Sequence, residues 1–366
     1  MLSAGSSTRF GGKVKKHWLR IAHTPLWLYA TNQITACHNF AKVIVVCSPD
    51  EIRYARLFNE EFTFIVGGAS RQESLQNALL HVSTSRVLIS DVARACVDAS
   101  MLERIFCNVD ADCIVPYLPI SDTVVYCDET IDRTQVKRIQ TPQLSKTAVL
   151  KKAMQTTQLF TDESSAIKAI GGTVHFVLGS HNAHKLTFAQ DMQLLAKLPS
   201  AASECFVGNG FDVHAFEEKK TMWLGGVKIR DDIGFKAHSD GDVAIHALID
   251  ALLGASGAGD IGELFPDTDA SFKNIDSKIL LQKVVTFLGD IGFDIINCDI
   301  TILAQKPKLQ NFKMQMRKTL ATLLQIDILR VNIKATTTEK LGFIGREEGV
   351  GVIANASIKY HDWKTL

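Results

Sequence analysis

From Met1 to about Leu198, short apolar runs rich in β-branched residues alternate with helical patterns. Val43-Ile44-Val45-Val46, Val87-Leu88-Ile89 and Ile114-Val115 punctuate that stretch, with Leu75 to Val82 between the first two. This rhythm predicts an α/β unit around a mostly parallel sheet, because parallel neighbours need a crossover connection. Such sheets hold their ligands at the carboxyl ends of the strands. The rhythm stops at 199–206, Pro-Ser-Ala-Ala-Ser-Glu-Cys-Phe, a break of small residues between a helix-like run and a motif-rich segment. At 366 residues the chain exceeds what a single core usually organises. Two domains are therefore expected, 1–203 and 207–366, joined by a linker at about 199–206. In the second, strand-like Trp223 to Val227, helices at about Asp242 to Leu253 and Ser277 to Ile291, and strands near Ile300 to Leu303 and Val331 to Lys334 predict another α/β unit.

Composition narrows the partners. Hydrophobic residues make up 46% and charged residues 22%, which supports two ordinary cores rather than disorder. A net charge of +1 removes the electrostatic case for nucleic acid, while leaving room for small phosphorylated ligands that need only a few placed cations. No run approaches ~20 apolar residues, so no membrane partner is expected. The eight cysteines form no C-x-x-C pair or metal-knuckle spacing. With no apolar signal region in the opening Met1 to Gly12, these features predict a cytoplasmic protein with reduced thiols.

In the second half, Asp212 and His214 are two apart, so an extended strand aims both at one face. His238-Ser239-Asp240-Gly241-Asp242 supplies turn residues and a helix start, and His246 follows Asp242 by four on the same helical face. A helix-borne His meeting a strand-borne Asp-x-His gives three N/O ligands and leaves a coordination position open, the arrangement of a catalytic metal site. D-x-H alone is weak, and each histidine also has a purely structural reading. Further on, Gly259 to Asp269 is dense in carboxylates and turn formers. Thr336-Thr337-Thr338-Glu339 offers hydroxyls, backbone N–H groups and a carboxylate for a hard cation, and Arg346 is suited to bidentate phosphate contact.

Taken together, F-D-V-H-A-F (211–216), A-H-S-D-G-D-V-A-I-H-A-L (237–248), G-D-I-G-E-L-F-P-D-T-D (259–269) and K-A-T-T-T-E-K-L-G-F (334–343) resemble the 2-C-methyl-D-erythritol 2,4-cyclodiphosphate synthase family, over about Gly208 to Lys359. The resemblance implies that Asp212, His214 and His246 bind a divalent metal, zinc or similar. It implies that Glu339 helps hold a second, magnesium or manganese, at the nucleotide phosphates, and that His238 and Thr337 stabilise the transition state. Ser239, Asp260, Ile261, Gly262, Phe265, Asp267 and Asp269 would meet the substrate. Ala304, Lys308, Leu309, Thr336, Thr338, Glu339, Phe343 and Arg346 match further positions that contact it, framing the cytidine nucleotide. The implied reaction is attack of the substrate's own 2-phosphate on the β-phosphorus of its cytidine diphosphate arm. CMP leaves and the cyclodiphosphate ring closes, so the protein mainly positions groups and neutralises charge.

At the other end, Ala4 to Lys16 joins small loop-forming residues to a run of cations, a phosphate cradle in one reading and a flexible basic N-terminus in another. With Gly67-Gly68-Ala69-Ser70-Arg71-Gln72-Glu73-Ser74, Ser90-Asp91-Val92-Ala93-Arg94, Thr141-Pro142-Gln143 and Thr161 to Ala166, it resembles the 2-C-methyl-D-erythritol 4-phosphate cytidylyltransferase family over about 2–195. The resemblance implies a Rossmann-like nucleotidyltransferase domain joined to a smaller cyclodiphosphate synthase domain. Arg9 and Lys16 would stabilise the pentavalent transition state on CTP. Ser74, Asp91, Arg94, Thr123, Arg133, Thr141 and Lys185 would bind substrate, with Thr123 and Arg133 on an arm reaching a partner subunit. Lys15 and Ala95 stand where that family usually has proline, which puts loop stiffness in question. Met1-Leu2-Ser3 is too short to fill a central strand, so the native start is expected upstream.

Both resemblances in one chain imply a bifunctional enzyme of the non-mevalonate isoprenoid route, acting on CTP and methylerythritol phosphates. A separate kinase must phosphorylate the 2-hydroxyl between the two reactions. The families imply trimeric cyclase and dimeric transferase domains, hence a higher homo-oligomer such as a hexamer. The competing readings make the first domain a different nucleotidyltransferase or a non-catalytic assembly module.

Overall fold

In the computed structural model residues 1–107, 110–237, 239–266 and 275–365 are described. The chain forms two compact units, Met1–Ala201 with Asp362–Leu366, and Ala202–His361. Trp363 belongs with the first unit because its buried indole donates its N–H to the Arg20 carbonyl at 2.6 Å.

The main strands of the first unit are β1 (Ile44–Cys47), β2 (Thr63–Val66), β3 (Arg86–Ile89), β4 (Cys113–Pro119), β5 (Gln143–Lys146) and β6 (Val174–Leu178). β1 and β2 pair in parallel, as do β4 and β6, whereas β5 runs antiparallel between β3 and β4. Leu2 bridges Val46 and Asp91 in parallel, with N–H bonds from Leu2 to Ser90 and from Ser3 to Val46, so Met1 to Ser3 stitches β1 to β3 as a bridge rather than a full strand. The result is mostly parallel. Alternate residues of β4 face opposite layers, as the pleat requires. Cys113 and Val115 pack with Leu75 and Leu79, and Ile114 packs with Ile34, Met101 and Ile105. Each fully buried aliphatic side chain contributes on the order of 1.5–3 kcal/mol of hydrophobic stabilisation. The helix carrying Leu75 is α1 (Arg71–Leu79), whose N-cap Ser70 accepts the Glu73 N–H.

In the second unit β7 (Cys205–Glu218), β8 (Ile233–Phe235), β9 (Phe293–Leu303), β10 (Val331–Thr336) and β11 (Gly349–Tyr360) form one sheet in the order β8-β7-β11-β9-β10. Only β9 and β10 are parallel neighbours. Helices α2 (Val243–Ser256), α3 (Ser277–Asp290) and α4 (Lys313–Leu324) pack against it. α2 lies on β7 so closely that a Cβ at Gly208 or Gly210 would sit 2.0 Å from the carbonyl oxygens of Ala251 and Ala247. Period-two alternation then puts Asp212 and His214 on the helix side, in phase with those glycines, and leaves Val207, Phe211 and Val213 exposed on the other. Among the described residues no helix is long and apolar enough to cross a membrane.

Candidate active sites

β7 and α2 bring Asp212, His214 and His246 together, with one donor atom from each lying within 4.8 Å of the others. Asp212 Oδ2 is 3.2 Å from both His214 Nε2 and His246 Nδ1. Burial pushes the Asp212 carboxyl up, but hydrogen bonding and charge from the two imidazoles hold it well below the usual carboxylate range. Burial lowers His246, and Asp212 outweighs it to leave that imidazole raised. The other ring nitrogens are tied back, His214 Nδ1 to the Gly241 carbonyl at 3.1 Å and His246 Nε2 to Ser277 Oγ at 2.9 Å. Such ties orient imidazoles toward a metal, and one carboxylate with two imidazoles suits a zinc-like ion.

The trio lines a cavity of about 330 Å³ with Ser239, Ile261, Gly262 and Phe265. Asp260 caps the short helix Ile261–Leu264 by accepting the Glu263 N–H at 2.9 Å. His238, Asp267 and Asp269 lie outside the described residues. Asp242, read as sharing the His246 face, is wholly buried and caps α2. Its carboxylate accepts N–H bonds from Gly225, Gly226, Ala244 and Ile245, because the left-handed Gly225-Gly226 turn presents two amides to it. The sequence reading missed Lys236 and Asp250, which also line this cavity. Asp250 follows His246 by one helical turn and accepts the Ile261 N–H at 2.8 Å.

A second group forms where the parallel strands β9 and β10 end. The Ala304 N–H bonds the Thr336 carbonyl at 3.0 Å, setting the loop from Ala304 through Lys308 to Leu309 beside Thr336 to Arg346. Thr337 Oγ1 donates to Glu339 at 2.8 Å, Thr338 Oγ1 donates to the Leu341 carbonyl, and Arg346 pairs with Glu348 at 2.7 Å. Phe343 is partly exposed on the short helix Gly342–Gly345. Among the described residues, Glu339 and its neighbours do not line the Asp212 cavity.

In the first unit a cavity of about 370 Å³ gathers Arg9, Lys16, Ser74, Asp91 and Lys185. It is lined by the segments that follow the carboxyl ends of β2 and β3, where the sheet rule puts ligands. Lys185 is 2.8 Å and Arg71 3.0 Å from Asp91, and Arg71 continues to the fully buried Glu163 at 2.7 Å. Burial pushes Asp91 up, yet Arg71 and Lys185 bring it down to about 2. Burial, then the charge of Lys185, lowers Lys16, whose ammonium donates to the Leu186 carbonyl at 3.0 Å. Ser74 Oγ accepts the Gly68 N–H, and Thr141 Oγ1 accepts the Asp91 N–H from behind. Arg94 binds the Ala183 and Ile139 carbonyls and does not line the cavity. Thr123 and Arg133 are exposed beside the hairpin Val124–Tyr126 and Glu129–Ile131, away from it.

One cavity lined by lysines and arginines around a buried carboxylate, and another built on a metal-binding trio, define an enzyme with two phosphate-handling sites in one chain. The family model for 2-C-methyl-D-erythritol 4-phosphate cytidylyltransferase matches residues 1–198, and that of the YgbB family matches 205–359. The chain is 55% identical to the bifunctional enzyme IspD/IspF of Sulfurimonas denitrificans, covering 100% of this chain and 95% of the relative. It is 54% identical to that of Aliarcobacter butzleri, covering 100% and 98%. The solved structure of bifunctional IspDF from Campylobacter jejuni superposes with a TM-score of 0.88 at 49% identity, over 100% of this chain and 98% of that one. The chain belongs to the bifunctional IspD/IspF enzyme family. These matches disfavour reading the first unit as a different nucleotidyltransferase or a bare assembly module.

Proposed function

We propose that the two activities divide between residues 1–203 and 207–366, and that the residues gathered at each cavity carry them. In the first, an oxygen of the methylerythritol 4-phosphate attacks the α-phosphorus of CTP. The α–β anhydride bond breaks, diphosphate leaves and CDP-methylerythritol forms. Arg9 and Lys16 neutralise the pentavalent centre, while Asp91, held by Arg71 and Lys185, orients the sugar phosphate with Thr141 behind it. Ser74 and the Gly67-Gly68 turn read the cytidine, and Arg94, Thr123 and Arg133 complete the substrate contacts, the last two from the exposed arm of a second copy.

In the second reaction the 2-phosphate of CDP-methylerythritol 2-phosphate attacks the β-phosphorus, the bond to CMP breaks, and 2-C-methyl-D-erythritol 2,4-cyclodiphosphate closes. Asp212, His214 and His246 would hold a divalent cation, zinc or similar, which would supply charge neutralisation to the diphosphate. Ser239, Ile261, Gly262 and Phe265 hold the methylerythritol part, aided by Asp260 and, from outside the described residues, His238, Asp267 and Asp269. Ala304, Lys308, Leu309, Thr336, Thr338, Phe343 and Arg346 bind the cytidine nucleotide. Thr337 steadies the transferring group, and Glu339 would hold magnesium or manganese, which would neutralise phosphate charge. Because the Asp212 and Glu339 groups do not share a cavity among the described residues, the full site joins two copies. The exposed apolar side of β7, with Val207, Phe211 and Val213, favours a trimer buried on that face. A transferase dimer on top of it gives a hexamer. Eight cysteines, none in a disulfide, fit a reducing cytoplasm.

The observation that carries the reading is that Lys16, Lys185 and Asp91 converge on one cavity while Asp212, His214 and His246 converge on another. The test incubates the purified protein with CTP and methylerythritol 4-phosphate, with and without an added kinase and ATP, and follows products by mass. CDP-methylerythritol is expected without the kinase, and CMP with the cyclodiphosphate only when the kinase is present. Failure to form CDP-methylerythritol overturns the first assignment, and failure to form the ring overturns the second.

A further inference from the structure

We infer that Ser277 and Asp240 are positioning residues for the metal site, forming a relay that fixes the His246 tautomer and aims its bare nitrogen at the ion. The inference rests on the reading of Asp212, His214 and His246 as metal ligands. Ser277 is fully buried at the start of α3, and its Oγ lies 2.5 Å from Asp240 Oδ1 and 2.9 Å from His246 Nε2. A carboxylate has no proton to give, and a serine has one. The Ser277 hydroxyl therefore donates to Asp240, and its oxygen is left to accept. The hydrogen on that second contact must come from His246, so Nε2 carries a proton, and in the neutral imidazole that binds a metal Nδ1 is bare.

That bare Nδ1 is the atom facing Asp212 Oδ2 at 3.2 Å. His214 repeats the logic with a simpler partner. The Gly241 carbonyl can only accept, so His214 Nδ1 is protonated and Nε2 faces Asp212, also at 3.2 Å. In those neutral tautomers three acceptor atoms point at one place, an arrangement that a divalent cation satisfies. The relay is itself anchored, since Asp240 accepts the Ser277 N–H at 3.2 Å and the Asp242 N–H at 3.3 Å. Ser239 Oγ, 3.2 Å from Nε2, accepts the Gly241 N–H and closes the other side of the ring. Neither Ser277 nor Asp240 lines the cavity, so both act through His246 rather than on substrate.

The test uses full-length protein and measures Zn²⁺ affinity by competition with a chromophoric chelator, alongside the visible spectrum of Co²⁺ at the site. Ser277→Val should bind Zn²⁺ about 10–100-fold more weakly than Ser277→Thr, because the two differ by the hydroxyl and outer ties of this kind carry that much affinity. Ser277→Thr should stay near wild type in both affinity and Co²⁺ spectrum. Cytidylyl transfer by the same chains should be unchanged, which controls for protein quality. Equal Zn²⁺ affinity in the Val and Thr variants overturns the inference. Independently of any variant, ¹⁵N NMR of wild-type histidine should show His246 protonated at Nε2, and the opposite tautomer overturns the relay even if the Val chain fails to fold. Zn²⁺ binding that is absent in wild type, or unmoved by Asp212→Ala, instead sinks the metal-ligand reading itself.

Discussion

Asp91 is held ionised at a cost that burial alone would make prohibitive. Its folded value is brought down to about 2 from an ordinary 3.8, so its pairing with Arg71 and Lys185 stabilises the first unit at pH values above the unfolded value. That contribution, about 2 kcal/mol, is lost as pH falls from about 4 toward 2. Asp91→Asn should therefore lower the denaturant midpoint of the first unit at neutral pH and flatten its acid dependence in that window, read by fluorescence-monitored unfolding. An unaltered acid profile would refute the pairing as the cause. Glu51 offers a second case. It is buried between Lys15 at 2.6 Å and His17 at 2.8 Å, the two neighbours of Lys16, and although burial pushes it up, those partners bring it down to about 2. The clamp supplies stiffness to the lysine loop that a proline at position 15 would otherwise give. Glu51→Gln should reduce kcat for cytidylyl transfer on the order of 10–100-fold with a smaller change in the KM for CTP, in steady-state kinetics. At this scale the sequence was legible for side chains whose chemistry is local, such as the D-x-H pair. Arg71 and Glu163 both stood in strings already singled out, yet their partnership spans 92 residues and no spacing rule reveals it.

Among elements, the contact of β7 with α2 decides whether the metal ligands meet. Gly210 sits where a methyl group would strike the Ala247 carbonyl, two residues before Asp212. Gly210→Ala must push helix and strand apart, a cost of about 1–3 kcal/mol by analogy with overpacked cores. Gly254, on α2 itself, has nothing within 4 Å of an added Cβ. There the same substitution should stabilise by about 0.5–1 kcal/mol through helix propensity. Thermal unfolding of the two variants, with Zn²⁺ affinity measured alongside, should show opposite shifts in Tm and weakened metal binding for Gly210→Ala only. Equal shifts would mean the strand and helix have slack at this contact. The periodic helices at Val243–Ser256 and Ser277–Asp290 were readable from their apolar spacing. The antiparallel insertion of β5 between β3 and β4 was not, since strand order is set by long-range pairing that leaves no local mark.

For the whole molecule, the proposed cyclisation needs the Asp212 group and the Glu339 group, which do not share a cavity among the described residues, to act on one diphosphate. The cyclase resemblance in the sequence already implies a trimer with sites between subunits, so that the two groups would meet from different copies, but no spacing in the chain shows which copy supplies which group. The exposed apolar residues on β7 supply a face through which copies can associate, and in the proposed trimer one copy's strand-end loops would meet its neighbour's Asp212 group. This arrangement predicts complementation. Asp212→Ala removes one half of every site, and Glu339→Ala removes the other, so each variant alone should cyclise poorly. When equal amounts are unfolded together and reassembled, or coexpressed, a site is intact only if a Glu339→Ala chain gives the trio and an Asp212→Ala chain gives the loop. Each condition holds for half the chains, so about a quarter of wild-type cyclisation should return in random cyclic assemblies. Cytidylyl transfer, which uses neither residue, should stay at wild-type level throughout and so report that the chains are folded. A mixture no more active in CMP release than its separate components would show that both halves of each cyclase site come from the same chain.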